Sequence, residues 1–116
     1  MVEFKDKDII QESTEPFRVS YQPNDSNVNI NGSIHGGVMF YLCDDAIGRY
    51  VTAMGRVGAA ADASIHYYRP GKPGEKMIAT VLERKIGRRL GVLLVELRNE
   101  AGVLLADSVF TVAFND

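Results

Sequence analysis

The chain has 116 residues, 46% apolar and 24% charged, with a formal net charge of −2. That fits a single domain over 1–116 with room for a core, and it gives no general attraction to nucleic acid or to an anionic membrane. Its one cysteine, Cys43, excludes an intramolecular disulfide and a cysteine-built zinc site, and no stretch approaches the roughly 20 apolar residues that span a bilayer.

In chain order, MVEFKDKDII has mixed charge and lacks the apolar run of a signal peptide, so a cytoplasmic protein is expected. Residues 4–13 fit a short helix, and PFRVSYQ (16–22) alternates as a strand does. PNDSNVNINGS (23–33) reads as a loop. From Gly37 to Met54 the spacing is helical and apolar around most of the circumference, which places that helix inside a fold. Strands follow at 59–70, 75–87, 88–100 and 103–114, with turns at GKPG (71–74) and at Ala101–Gly102. The short connections imply antiparallel pairing, hence an α+β domain whose sheet wraps a buried helix. So small a sheet leaves an edge or face open, which favours dimerisation by strand pairing.

The helix carries two adjacent carboxylates, and these turn about 100° apart. Asp45 has Arg49 four residues on, an ion pair of ordinary helical spacing. Asp44 shares a stripe with Phe40, Ile47 and Val51 and has no cation at i±3 or i±4. It is either a structural Asp bonded to a neighbouring strand or a carboxylate in a functional pocket.

Before the helix, Gly36 and Gly37 leave backbone N–H groups at its N-terminus, where an anion or developing oxyanion can bind. The same glycines could serve only a tight turn. His35 fits a base, an orienting group or a cap. Gly36 and Asp44 stand eight residues apart, about 12 Å of helix rise, too far to meet on one reacting carbon. If they cooperate, Asp44 must come from a second copy packed nearly antiparallel. Cys43 reads as core filler, and His66 as a surface or interface histidine, too little with His35 for a metal site. Tyr67 and Tyr68 point to opposite faces, so at most one should line a pocket.

Asn29, Gly32 and His35-Gly36-Gly37, with Asp44 nine positions after the histidine, resemble the acyl-CoA thioesterases of the hotdog fold. The similarity is to the phenylacetic-acid-degradation (PaaI-like) branch. It continues through DASIHYYRPG (62–71), GRR (87–89) and GVLLADSVFTVAF (102–114). The resemblance implies a hotdog fold and hydrolysis of an acyl-CoA or aryl-CoA thioester. It implies Asp44 as base or nucleophile and Gly36 as the backbone donor to the carbonyl. Asn29 and His35 would position the thioester and its sulfur, with Gly37 beside them in substrate binding. It also implies sites at a homodimer interface, with a dimer of dimers favoured. No metal or bound cofactor is required, since CoA arrives as part of the substrate. Its phosphates need cations, and Arg88 and Arg89 are the candidates.

One position departs from the pattern. Many relatives carry Ser or Thr two residues before the strand Asp; here that Asp is Asp62 and the position is Ala60. Strand alternation would put Asp62 on the face of Ala60, where it could substitute in part. A non-catalytic hotdog module that binds an acyl ligand is the alternative. A hotdog hydratase fits less well, because no His follows the helix carboxylates until His66.

Overall fold

The computed structural model describes residues 8–116. Its elements are β1 (Ile10–Thr14), β2 (Phe17–Tyr21), a 3-10 turn (Asp25–Asn27), α1 (Gly36–Ala53), β3 (Gly58–Tyr67), β4 (Met77–Ile86), β5 (Leu90–Asn99) and β6 (Leu104–Phe114). The strands form one antiparallel sheet in the order β1-β2-β4-β5-β6-β3. This is the hotdog arrangement, one long helix packed on a six-stranded sheet.

Period-2 alternation sets the inner face of the sheet. Met77, Ala79 and Val81 on β4, Leu93, Val95 and Leu97 on β5, and Ala106, Phe110 and Val112 on β6 are all buried. Val38, Met39, Leu42, Cys43, Ala46, Ile47 and Val51 of α1 complete that core. Cys43 is fully buried, and burial pushes its thiol up to about 12. It is core filler, inert at neutral pH. The sheet covers only one side of the helix, and Tyr41, Gly48, Thr52 and Ala53 stay exposed.

The helix stops by chain chemistry. Gly55 adopts φ +77°, a left-handed conformation that costs glycine nothing. Its N–H bonds to Thr52 O at 2.9 Å and that of Arg56 to Val51 O at 3.2 Å, a Schellman closure.

Two expectations need correction. Residues 10–14 are not helical but form edge strand β1, paired with β2. Their apolar spacing is too sparse to tell the two apart, and pairing with β2 settles the matter; residues 4–7 of the expected helix lie outside the described residues. The GKPG segment does not join neighbouring strands either, since β3 pairs with β6 at the far edge of the sheet. β3 is built of small residues, and nearly all of Gly58–Tyr67 is exposed.

Candidate functional site

The loop before α1 is held by a residue that sequence reading passed over. Asn27 is fully buried. Its Oδ1 accepts from Tyr21 Oη (2.7 Å) and from the Asn24 N–H (2.9 Å), while its carbonyl accepts the His35 N–H at 2.7 Å. Each such bond contributes about 1 kcal/mol net, and leaving one partner buried and unpaired costs more. Asn27 therefore fixes where the chain enters the helix. Its one sequence signal was its place in the Asn-rich loop.

Asn29 folds the next turn. Its Oδ1 accepts the N–H groups of Asn31 (2.9 Å) and Ser33 (3.2 Å). Since Oδ1 must be the acceptor for both, the amide orientation is fixed, and the Nδ2 hydrogens have no partner among the described residues. His35 is the N-cap of α1. Its Nδ1 accepts the Gly37 N–H at 3.1 Å, so a neutral ring carries its proton on Nε2.

This cap separates the two glycines. The N–H of Gly37 is taken by His35, so only Gly36 keeps a free N–H at the helix start among the described residues. The first turn holds no acidic side chain to compete for an anion there. The carbonyl of Gly36 accepts from Tyr67 Oη at 2.8 Å. A Cβ at Gly36 would meet the Tyr67 ring at 3.2 Å, so glycine lets that ring approach without shifting by a few tenths of an ångström.

Asn29, Ser33, Ile34, Gly36, Met39, Tyr67 and Arg69 help to line a cleft of about 340 Å³. It has apolar walls in Ile34 and Met39 and donors at Gly36 and Asn29. Tyr67 and Tyr68 do diverge, Tyr68 donating to Asp107 at 2.9 Å. Both nevertheless border the cleft, because the strand ends at Tyr67 and its alternation ends there too. Tyr67 had no assigned role in the sequence; its contact with Gly36 is made across 31 residues.

Asp44 lies elsewhere. It borders two other clefts, one of about 620 Å³ with Gln11, Asp45 and Arg49, the other of about 350 Å³ with Ile47, Val51, Ala59 and Ala60. Asp45 bonds Arg49 at 2.6 Å, as the spacing predicted. Asp44 is exposed and makes no hydrogen bond or ion pair among the described residues. The surrounding cleft walls withdraw solvent and, with the neighbouring Asp45, raise its pKa above the ordinary carboxylate value. It is thus an available carboxylate and not one bonded into the sheet.

Ala60 does face Asp44 across the second of these clefts, but Asp62 does not join it. The β3–β6 register pairs Ala60 with Val112 and then Asp62 with Thr111, a bulge that inserts Ala61. Val112 is buried on the inner face and Thr111 belongs to the outer one, so Asp62 turns away from the helix. The expected shared face is lost to one inserted residue.

Arg88 and Arg89 sit in the β4–β5 turn. Arg56, just past the end of α1, donates to the carbonyls of Gly87 (3.1 Å) and Arg88 (2.8 Å). The turn is therefore at the C-terminal end of the helix, whose 18 residues rise about 27 Å from Gly36. Within one chain the sequence candidates fall in three places: Asn29, His35, Gly36 and Gly37 at the start of α1, Asp44 at its middle, and Arg88 and Arg89 beyond its C-terminal end. Among the described residues no group of His, Cys, Asp and Glu could hold a metal ion. Among the described residues, no helix is long and apolar enough to cross a membrane.

Comparison with known proteins places this arrangement. Residues 31–106 match the family model described as the Thioesterase superfamily. The acyl-coenzyme A thioesterase PaaI of Escherichia coli is 33% identical over 73 residues, 63% of this chain and 52% of its own length, so the chain spans about half of that relative. A mutant of a hypothetical thioesterase from Streptococcus pneumoniae superposes with a TM-score of 0.92 at 26% identity, over 99% of this chain and 96% of its own. That protein has also been solved with coenzyme A and as an Asp-to-Ala mutant. A Streptococcus mutans protein bound to acetyl CoA superposes with a TM-score of 0.89 at 26% identity, covering 99% and 93%. By family model, relatives and fold, the chain belongs to the thioesterase superfamily and is a PaaI-like hotdog thioesterase.

Proposed function

We propose that this protein hydrolyses acyl-CoA thioesters, aryl-CoA esters among them, in composite sites built from two copies of the chain. The observation that carries this reading is that one chain holds, in separate clefts, a Gly36 N–H and an Asp44 carboxylate that both lack a partner among the described residues. Neither half completes a site alone. An antiparallel second copy would set the Asp44 of one protomer against the Gly36 and Asn29 of its partner. The exposed edge strand β3, with its small side chains, suits that association.

In such a site the thioester oxygen lies on the Gly36 N–H, where helix dipole and donor stabilise the charge that develops on it. Asn29 Nδ2 and His35 Nε2–H are donors for the thioester and the departing sulfur, with Gly37 holding His35 in place. Two routes use the same carboxylate. Asp44 takes a proton from water as the water oxygen bonds to the carbonyl carbon, or it attacks that carbon and forms an anhydride that water then opens. In both, the C–S bond breaks, the CoA sulfur leaves with a proton, and free acid is released. Arg88 and Arg89, in the turn beyond the C-terminal end of α1, are further candidates to meet CoA phosphates.

The spacing in the Streptococcus pneumoniae protein supports Asp44. Its mutants replace an Asp and, sixteen residues later, a Thr; Asp44 and Ala60 are sixteen residues apart here. We further propose one domain over 1–116, cytoplasmic, with no cofactor beyond substrate CoA, no nucleic acid or membrane partner, and homodimers paired into a tetramer. Half-exposed Leu82, Val92 and Leu94 with exposed Val109 give the outer sheet face the apolar character such pairing uses.

A second reading rests on Ala60. Without a hydroxyl beside Asp44, the protein would bind acyl-CoA without turning it over. The deciding experiment follows free thiol release from a panel of acyl- and aryl-CoA esters for wild type and Asp44→Asn. Hydrolysis that falls by about 10³-fold or more in the variant supports the enzyme and names its acyl class. CoA-ester binding without hydrolysis in the wild type selects the binding module.

A further inference from the structure

Arg69 and Lys72 occupy a place that the thioester cleft leaves unexplained. Arg69 and Pro70 line the cleft that holds Asn29 and Gly36, and they also line a second cleft of about 260 Å³, bordered further by Lys72, Glu75, Asn99 and Leu105. The backbone at this junction is firmly held. The N–H groups of Tyr68 and Arg69 bond to Leu105 O at 2.8 and 3.1 Å, and the Ile34 N–H bonds to Gly71 O at 2.9 Å. The side chains are not: Arg69 and Lys72 are exposed and make no hydrogen bond or ion pair among the described residues. The one carboxylate lining this cleft, Glu75, accepts from Asn99 Nδ2 at 2.9 Å. Two uncommitted cations on a rigid segment therefore face one engaged anion.

We propose that this second cleft is a phosphate site in which Arg69 and Lys72 bind the diphosphate of the substrate's CoA. The inference rests on the thioesterase reading and extends it. A CoA ester keeps its phosphates away from its thioester by the whole length of the pantetheine arm. With the thioester at Gly36, the phosphates must bind in an adjoining space and not in the same one. The cleft beyond Arg69 and Pro70 is such a space, reached on the same chain. Arg88 and Arg89, at the opposite end of α1, can approach that substrate only from a second copy. A guanidinium at the junction can bond a phosphate in bidentate fashion, and Lys72 adds a point charge.

The test compares ligands with and without phosphates. Binding of CoA and of pantetheine is measured by calorimetry for wild type, Arg69→Gln/Lys72→Gln and Arg88→Gln/Arg89→Gln, each checked by thermal melting. The proposal expects CoA affinity to fall at least tenfold in the first double variant, with a shallower salt dependence, and pantetheine binding to stay within twofold. It expects a smaller loss of CoA affinity in the second. Unchanged CoA binding in the first variant overturns it, as does an equal loss for pantetheine, or a wild type that binds no CoA. A wild type that binds CoA through Arg69 and Lys72 but releases no thiol from any ester keeps this site and removes the hydrolytic reading instead.

Discussion

The Gly36 N–H can be removed by one substitution, which leaves a ring carbon in place of the hydrogen. Gly36 is the first residue of α1, the helical position that best tolerates proline, because the lost N–H has no intrahelical acceptor. His35 before it has φ −56° and ψ 131°, an extended conformation that a following proline favours. Gly36→Pro therefore deletes the donor while keeping the helix. The steric cost of its Cβ is separable: a Cβ at this position meets Tyr67 side-chain atoms at 3.2–3.4 Å, so the ring must give by a few tenths of an ångström. Gly36→Ala carries the same Cβ and keeps the N–H. If the N–H stabilises the oxyanion, Gly36→Pro should lose about 10²–10³ in kcat relative to Gly36→Ala, or about 2.7–4 kcal/mol of transition-state stabilisation. The assay is thiol release at saturating ester, with KM and melting temperature taken for both variants. Two variants that fold equally well and differ by less than threefold in kcat would refute the assignment.

The composite site makes a stoichiometric prediction. A purified heterodimer of Asp44→Asn and Gly36→Pro protomers combines both lesions in one site and leaves the other intact, so it should show about half of the wild-type rate; activity no higher than in the parent variants would refute sharing between copies. Tyr67→Phe removes the hydroxyl that holds the Gly36 carbonyl, a bond worth about 1 kcal/mol, and should lower kcat about three- to tenfold with little change in KM; an unchanged kcat would leave Tyr67 with packing alone. The raised pKa of Asp44 places the acid limb of the pH–rate profile above the ordinary aspartate value of about 3.9. Activity needs the carboxylate, so it falls as pH drops through that raised pKa. The same shift means that ionised Asp44 disfavours the folded state at neutral pH, a cost that appears as pH rises from the unfolded to the folded pKa. Asp44→Asn should accordingly melt no lower than wild type at pH 7, and a marked drop in melting temperature would give Asp44 a structural role.

The sequence by itself determined what local periodicity and chain chemistry can carry. A 3.6-residue apolar pattern made α1 legible from Gly37 to Met54, close to the observed Gly36–Ala53, and period-2 patterns marked β4, β5 and β6. The Asp45–Arg49 pair was legible because its four-residue spacing lies on one helix. The order of Asn29, the His-Gly-Gly turn and Asp44 pointed to a PaaI-like hotdog thioesterase, and the fold and family agree. The helical rise alone separated Gly36 from Asp44.

Only the tertiary structure decided matters that depend on contacts distant in sequence. β1 is a strand because β2 lies beside it, and β3 sits at the far edge because it pairs with β6. Of two adjacent glycines, only Gly36 keeps its N–H free among the described residues, since the His35 ring turns onto Gly37. The inserted Ala61 reverses the face of Asp62, an event that alternation cannot register until the partner strand supplies the register. Tyr67 reaches Gly36, and Arg69 opens onto two clefts, because the segment after β3 is tied back to Ile34 and Leu105. Periodicity fixes which way a residue points on its own element; what it meets there is set by the packing of elements far apart in the chain.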